Sequence, residues 1–259
     1  MKEERMQDKD NEKRWHEQKF YIDSGHWTSH PLFASRERHW LKNHITKIRF
    51  YGYLYRYMME KDYKNNAKIL LAPVGNGDDF SYLQGMYSSV YGIDISDIAL
   101  SHCPINIIKK EGDILKSGYE DESFDIIICS LFLHHVHKTE YASFLREFFR
   151  LLRNRGTLAI LEPTSMYPLG LIMSFLNKKI GNITGKVESE RPVFPTNIMR
   201  IIKDTGFKNI KMRGISFNHV RFPVALQLFI NMIDSPIRYY WPFFLFSESI
   251  GWFCEKHAT

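Results

Sequence analysis

Between Ala67 and Asp79 an apolar run, Ile69-Leu70-Leu71-Ala72, breaks into the turn Pro73-Val74-Gly75-Asn76-Gly77 and continues into Asp78-Asp79. Consecutive apolar residues bounded by turn formers read as a strand buried on both faces, which a parallel sheet requires. Gly75 and Gly77 make a turn where backbone can approach a ligand with no Cβ in the way. A strand ending in such a turn forms the floor of a pocket at the edge of an open α/β sheet.

The residues beyond the turn narrow the ligand. A helix is expected around Phe80 to Met86, then a second apolar strand, Val90-Tyr91-Gly92-Ile93, closing in Asp94. That acid lies roughly seventeen residues beyond Gly77, near the spacing of a carboxylate that grips ribose hydroxyls. A third segment ends in Glu111-Gly112-Asp113-Ile114, and Phe124 to Ser130 is an apolar strand with a polar residue at its C-terminal edge. These points converge on one rim suited to a nucleotide-type cofactor. A nicotinamide dinucleotide site wants a third glycine three residues after Gly77, and Phe80 stands there, which disfavours hydride chemistry.

Taken in order, Ile69 to Asp79, Gly92 to Ser96, Glu111 to Leu115, Phe124 to Val136 and Leu151 to Ile160 resemble the motifs of class I S-adenosylmethionine-dependent methyltransferases, over roughly Ala67 to Pro163. The resemblance implies a Rossmann-like α/β fold: a doubly wound, mostly parallel seven-stranded sheet with helices on both faces and an antiparallel last strand. It implies S-adenosylmethionine as cofactor and methyl transfer as the reaction. Carried over by residue, Val74, Gly75 and Gly77 line the methionine part, Asp94 binds the ribose and Ile95 packs on the adenine. Asp113, with Ile114 beside it, accepts from the adenine amino group, and Ser130 and Leu131 flank the sulfonium. Leu71 stands where the family usually has an acid and Pro73 where it has the first glycine of the turn. Asp78 or Asp79 could supply the missing charge, or serve only as a helix-dipole partner. Asn154 and Arg155 replace a common Pro-Gly.

A sulfonium methyl is already electrophilic, so catalysis asks for an acceptor held in line, exclusion of water and in some cases a base. His134 and His135, in the loop after the fourth strand, and Glu162, at the end of the fifth, are the candidates. The alternative for either histidine is capping the loop, and for Glu162 a carboxylate tied to backbone amides. In the N-terminal segment Tyr21, His26 and Trp27 read as substrate contacts of a lid, or as aromatic anchors that pin a loop.

The 259 residues, 44% hydrophobic, suffice for one sizeable domain. Residues 1–35 read as a lid or frayed segment and 36–259 as a single methyltransferase domain with insertions at about 165–195 and 221–246. Helices are expected over Arg36–Lys61, Thr139–Arg153, Leu169–Leu176 and Thr196–Thr205, and later strands over Phe207–Phe217 and Ile250–Lys256. Met1 to Lys19 alternates acids and bases with no apolar core, unlike a secretory signal. Three cysteines without Cys-x-x-Cys spacing indicate neither a disulfide framework nor a zinc site, so no metal is expected and a reducing, cytoplasmic compartment fits.

The formal charge of +6 is modest, and the basic cluster Arg36 to Lys47 reads as a solvated helix face. Nucleic-acid methylation is therefore the weaker alternative, beside a protein that keeps the fold and binds a cofactor or partner without catalysis. The segment 221–246 is unusually apolar, and Asn231, Asp234, Pro236 and Arg238 interrupt it too often for a membrane span. Three uses of it stay open: a membrane-surface contact, an apolar substrate tunnel, and a helix pair packed on the core or in a homodimer. The expected acceptor is a small molecule or lipid-linked.

Overall fold

A computed structural model of the chain describes residues 36–60, 66–83, 85–172, 175 and 191–257. Tyr21, His26 and Trp27, with the rest of the expected lid, lie outside the described residues, as does most of the 165–195 insertion. The strands are β1 (Ala67–Leu71), β2 (Tyr87–Asp94), β3 (Ile107–Glu111), β4 (Phe124–Ser130), β5 (Leu152–Pro163), β6 (Lys208–Ser216) and β7 (Ser249–Glu255). They form one sheet in the order β3-β2-β1-β4-β5-β7-β6. The first five run parallel, and β7 inserts antiparallel between β5 and β6. The expected fold class is thus the observed one.

The apolar runs of β1 and β4 are central because both faces of the sheet are covered. On one face α1 (Arg36–Met59) packs Phe50, Tyr51 and Leu54 against Ile69, Leu71, Ile126 and Ile128. On the other, α3 (Tyr141–Leu151) and α4 (Pro195–Thr205) pack Phe144, Phe148, Ile198 and Ile202 against Leu70, Ile127, Leu158 and Ile160. Each such side chain, fully buried, contributes about 1.5–3 kcal/mol. Local signals set the ends: Pro195 opens α4 at its first turn, and Gly206 closes it in the left-handed region at φ 105°.

One expectation is corrected. The link from β1 to β2 carries a single 3₁₀ turn, Asp78–Tyr82, instead of a helix to Met86. Leu83 N donates to Phe80 O and Met86 N to Leu83 O, so the chain steps by three residues straight into β2. The 221–246 segment is built as a helix pair, α5 (Val224–Ile233) and α6 (Ser235–Tyr239), followed by a 3₁₀ turn, Phe243–Phe246. A short helix, α2 (Asp97–His102), follows β2 and is capped by Ser96, whose Oγ accepts from Ala99 N at 3.1 Å.

Candidate functional site

Because β1, β2, β3 and β4 run parallel, their C-terminal ends share one rim, and the motif residues meet there. Asp94, 3% exposed at the end of β2, accepts from Gly75 N at 2.8 Å through Oδ2 and from Ser96 N at 3.0 Å through Oδ1. An ionised carboxylate has about four acceptor sites, so two remain. Gly112 N donates to Asp94 O at 2.8 Å, which sets Asp113 beside it on the β3 end. Asp113 accepts from Leu115 N at 3.1 Å through Oδ1, while Ile114 is buried and Ile95 half-buried. The glycine turn, Asp94 and Asp113 therefore lie together.

The turn itself depends on glycine at three positions. Gly75 has φ +53°, and a Cβ there would meet nothing within 4 Å, so the backbone faces open space. Gly77 has φ +79°, and a Cβ would approach Pro104 Cδ to 2.6 Å. Gly92, which the motif reading did not single out, lets Val74 settle, since a Cβ there would come within 2.7 Å of Val74 Cγ2. At the end of β4, Ser130 holds a buried hydroxyl with no hydrogen-bond partner. Leu131 follows in the left-handed region at φ 54°, its N donating to Leu161 O at 2.7 Å. A left-handed leucine at a sheet's ligand edge is strain held by its surroundings.

Leu71 is 1% exposed within the core, so the missing acid has no polar substitute in β1 itself. Asp79 is engaged by α1: Lys47 Nζ lies 3.0 Å from its Oδ1. Burial pulls the Lys47 pKa down, and Asp79 and Asp78 more than offset it, leaving it raised. Tyr51 is pushed well above the usual tyrosine range, by burial first and then by the negative charge of Asp79. Tyr51 also stacks on Tyr82 at 5.5 Å, and His44 Nδ1 lies 2.7 Å from the Tyr82 hydroxyl. Asp78 stays exposed. Helix α1 thus clamps the 3₁₀ turn that follows the glycines.

The basic cluster is not simply a solvated face. Lys42 turns inward to Glu248 at 2.9 Å and Lys47 to Asp79, and just beyond the cluster Arg49 meets Asp234 at 2.9 Å. His44, Lys47, Tyr51 and Tyr82 were missed by sequence reasoning. The spacing of the first three on α1 signals an inward-facing stripe but not its partners.

Glu162 is 0% exposed, and four N–H groups converge on it. Oε1 accepts from Phe132 N at 2.8 Å and Leu133 N at 2.6 Å, and Oε2 from His134 N at 3.3 Å. His134 Nδ1 lies 2.7 Å from Oε2. An acceptor-only carboxylate needs the Nδ1 proton, which leaves Nε2 as the lone-pair nitrogen of a neutral ring. Arg191 N holds the loop from outside by donating to His134 O at 2.7 Å, and His135 packs on His134 at 4.0 Å between ring centroids. Of the three candidates, Glu162 is a tether and His134 is the ring it orients.

The three cysteines are buried and unlinked, and no cluster of metal-ligating residues occurs among the described residues. No described helix is long and apolar enough to cross a membrane.

Known proteins resemble the chain in sequence and in fold. The family described as "Methyltransferase domain" matches residues 72–160. Over 130 residues the chain is 32% identical to a polyketide synthase-nonribosomal peptide synthetase, TwmB, of Talaromyces wortmannii. That match covers 46% of this chain, which spans only 4% of the length of that relative. Among solved structures, a SAM-dependent methyltransferase from Archaeoglobus fulgidus superimposes with a TM-score of 0.55 at 16% identity, covering 80% of this chain and 92% of the other. Phosphoethanolamine N-methyltransferase 2 of Haemonchus contortus, solved with phosphomonomethylethanolamine and S-adenosylhomocysteine, gives 0.53 at 13% identity over 79% of this chain and 52% of the other.

Proposed function

We propose, from the premise that this chain carries a class I S-adenosylmethionine-dependent methyltransferase domain, that it transfers a methyl group to a small-molecule or lipid-linked acceptor. The observation that supports the reading best is the single rim on which the Gly75 amide, the Asp94 carboxylate and Asp113 meet. When bound, S-adenosylmethionine supplies an electrophilic methyl on a sulfonium. The open face of Gly75 accommodates close backbone approach, and the partnerless Ser130 hydroxyl suits a polar ligand atom. Asp94 keeps lone pairs for two hydroxyl donors, Asp113 takes the adenine amino group, and Ile95 and Ile114 flank the ring. Val74 and Gly77 hold the turn, and Leu131 adjoins Ser130.

Where the acceptor must lose a proton, His134 is the base, taking it at Nε2, and Glu162 is its positioning residue. His135 backs the ring and Glu162 takes no proton, because its oxygens already serve four donors. Tyr21, His26 and Trp27 are assigned to the acceptor side as substrate contacts.

Calorimetry with S-adenosylhomocysteine tests the first step: binding in the micromolar range is expected, and no heat at millimolar ligand would sink the reading. Leu71 and Pro73 favour a second reading, a domain that binds the cofactor without turnover. Binding without label transfer from methyl-labelled cofactor to any hydroxyl, amine or lipid-linked acceptor would move the balance to it.

A further inference from the structure

Helix α5 is built inside out. Its one buried side chain is Gln227, while Phe229 is 53% and Met232 72% exposed. Gln227 is held inward by bonds from Nε2 to Phe222 O at 3.0 Å and Arg38 O at 3.3 Å. A helix packed only on the core puts its apolar stripe inside. The apolar surface continues past α6, where Tyr240 is 66%, Trp241 74% and Phe243 59% exposed.

Both charges of Val224 to Phe246 are withdrawn from this surface. Asp234, 2% exposed, receives Arg49 Nη1 at 2.9 Å and Arg238 Nε at 3.0 Å. Arg238, 7% exposed, also donates to the Tyr53 hydroxyl at 3.2 Å. The outer face is left uncharged, and aromatic residues with polar tips, Tyr239, Tyr240 and Trp241, stand along it. Cations flank it: Arg56, exposed on α1, lies near Tyr239, and Arg221 precedes α5. The nearby acid Glu60 is taken by Lys211 at 2.6 Å.

We propose that the face formed by α5, α6 and the Phe243–Phe246 turn docks on the interfacial layer of a bilayer carrying anionic headgroups. Exposed apolar patches of this kind mark partner surfaces, and tyrosine and tryptophan suit the boundary between headgroup and acyl chain. Charge selects the bilayer over a second copy. A two-fold interface would bring the same cations together from both sides, whereas anionic headgroups attract them. Helices of ten and five residues are too short to cross, so the contact lies in the interface plane. The proposal does not depend on the identity of the acceptor.

Flotation of the full chain with phosphatidylcholine vesicles, with and without phosphatidylglycerol, tests it. The chain should float with the anionic vesicles and less so as salt rises. A Met232→Ser/Trp241→Ser variant changes only exposed side chains, so it should melt as the parent does and lose partitioning on the order of tenfold. Brominated acyl chains should quench tryptophan emission of the parent, a readout that needs no variant. No flotation, no quenching or equal partitioning of the variant would overturn the proposal. So would a dimer in sedimentation, dissolved by the same two substitutions, with no vesicle binding.

Discussion

Replacing Glu162 by Gln tests the logic of the site most directly, because the two side chains have nearly equal volume and differ at one atom. In the parent, four N–H donors at 2.6–3.3 Å share two carboxylate oxygens. In the variant the amide oxygen can keep Phe132 N and Leu133 N, and the NH2 group then faces the His134 amide. That amide is left without an acceptor, which costs about 1–3 kcal/mol, and the retained bonds lose charge assistance worth roughly 1 kcal/mol. The sum is about 3 kcal/mol, or roughly 6–12 °C of melting temperature for a chain of this size. The His134 ring can adapt by moving its proton to Nε2, which removes the lone pair that a base at that nitrogen needs. Calorimetric melting, S-adenosylhomocysteine binding and methyl transfer should be measured on the same preparation. The expected pattern is a lower melting temperature, reduced turnover and little change in cofactor affinity. Lost turnover at an unchanged melting temperature would refute the tether and make Glu162 the proton acceptor itself.

Asp94→Asn must turn an NH2 toward Gly75 N or Ser96 N, so calorimetry should show S-adenosylhomocysteine binding weakened about 10–100-fold; a change within twofold would break the ribose assignment. Ser130→Ala removes a hydroxyl that bonds nothing in the fold, so the melting temperature should hold within about 1 °C while cofactor or acceptor affinity falls. Burial, with Lys109 opposing it and Asp94 adding to it, pushes the Cys103 thiol up to about 11, and Sγ donates to Gly75 O at 3.1 Å. A proton held more tightly in the folded state stabilises it below the unfolded thiol pKa of about 8.5, and that stability is lost as pH rises toward the folded value. Urea unfolding at pH 8 and pH 10.5 should therefore show a smaller pH loss in Cys103→Ala than in the parent, and equal losses would count against the buried thiol.

How far the fold is legible in the sequence depends on the range of the interactions. The strand β4 is legible because a central parallel strand is apolar at every position, and α3 because its apolar side chains recur at helical spacing. The Phe80–Met86 expectation failed on a real ambiguity. Phe80, Leu83 and Met86 recur every three residues, and a 3₁₀ path satisfies that spacing as well as an α-helix does. The candidate rim is legible in outline because each of its groups lies within a few residues of a strand end, where topology alone brings strand ends together.

The pairing of charged side chains is written at longer range. Lys42 finds Glu248, Arg49 finds Asp234, and Glu162 finds the 132–134 loop, with some thirty residues in the shortest case and over two hundred in the longest. Composition around Arg36 to Lys47 shows that positive charge is present but not which way it points, and in the structure Lys42 and Lys47 neutralise half-buried carboxylates. The same inversion governs α5, where the polar residue is inside and the apolar ones face out. A hydropathy count over 221–246 gives the same value for a core helix pair and for a membrane-facing one, because burial of Asp234 and Arg238 leaves the total unchanged while stripping the outer surface of charge. Direction, not content, separates the two, and direction is fixed by Arg49 on α1, some 180 residues earlier in the chain.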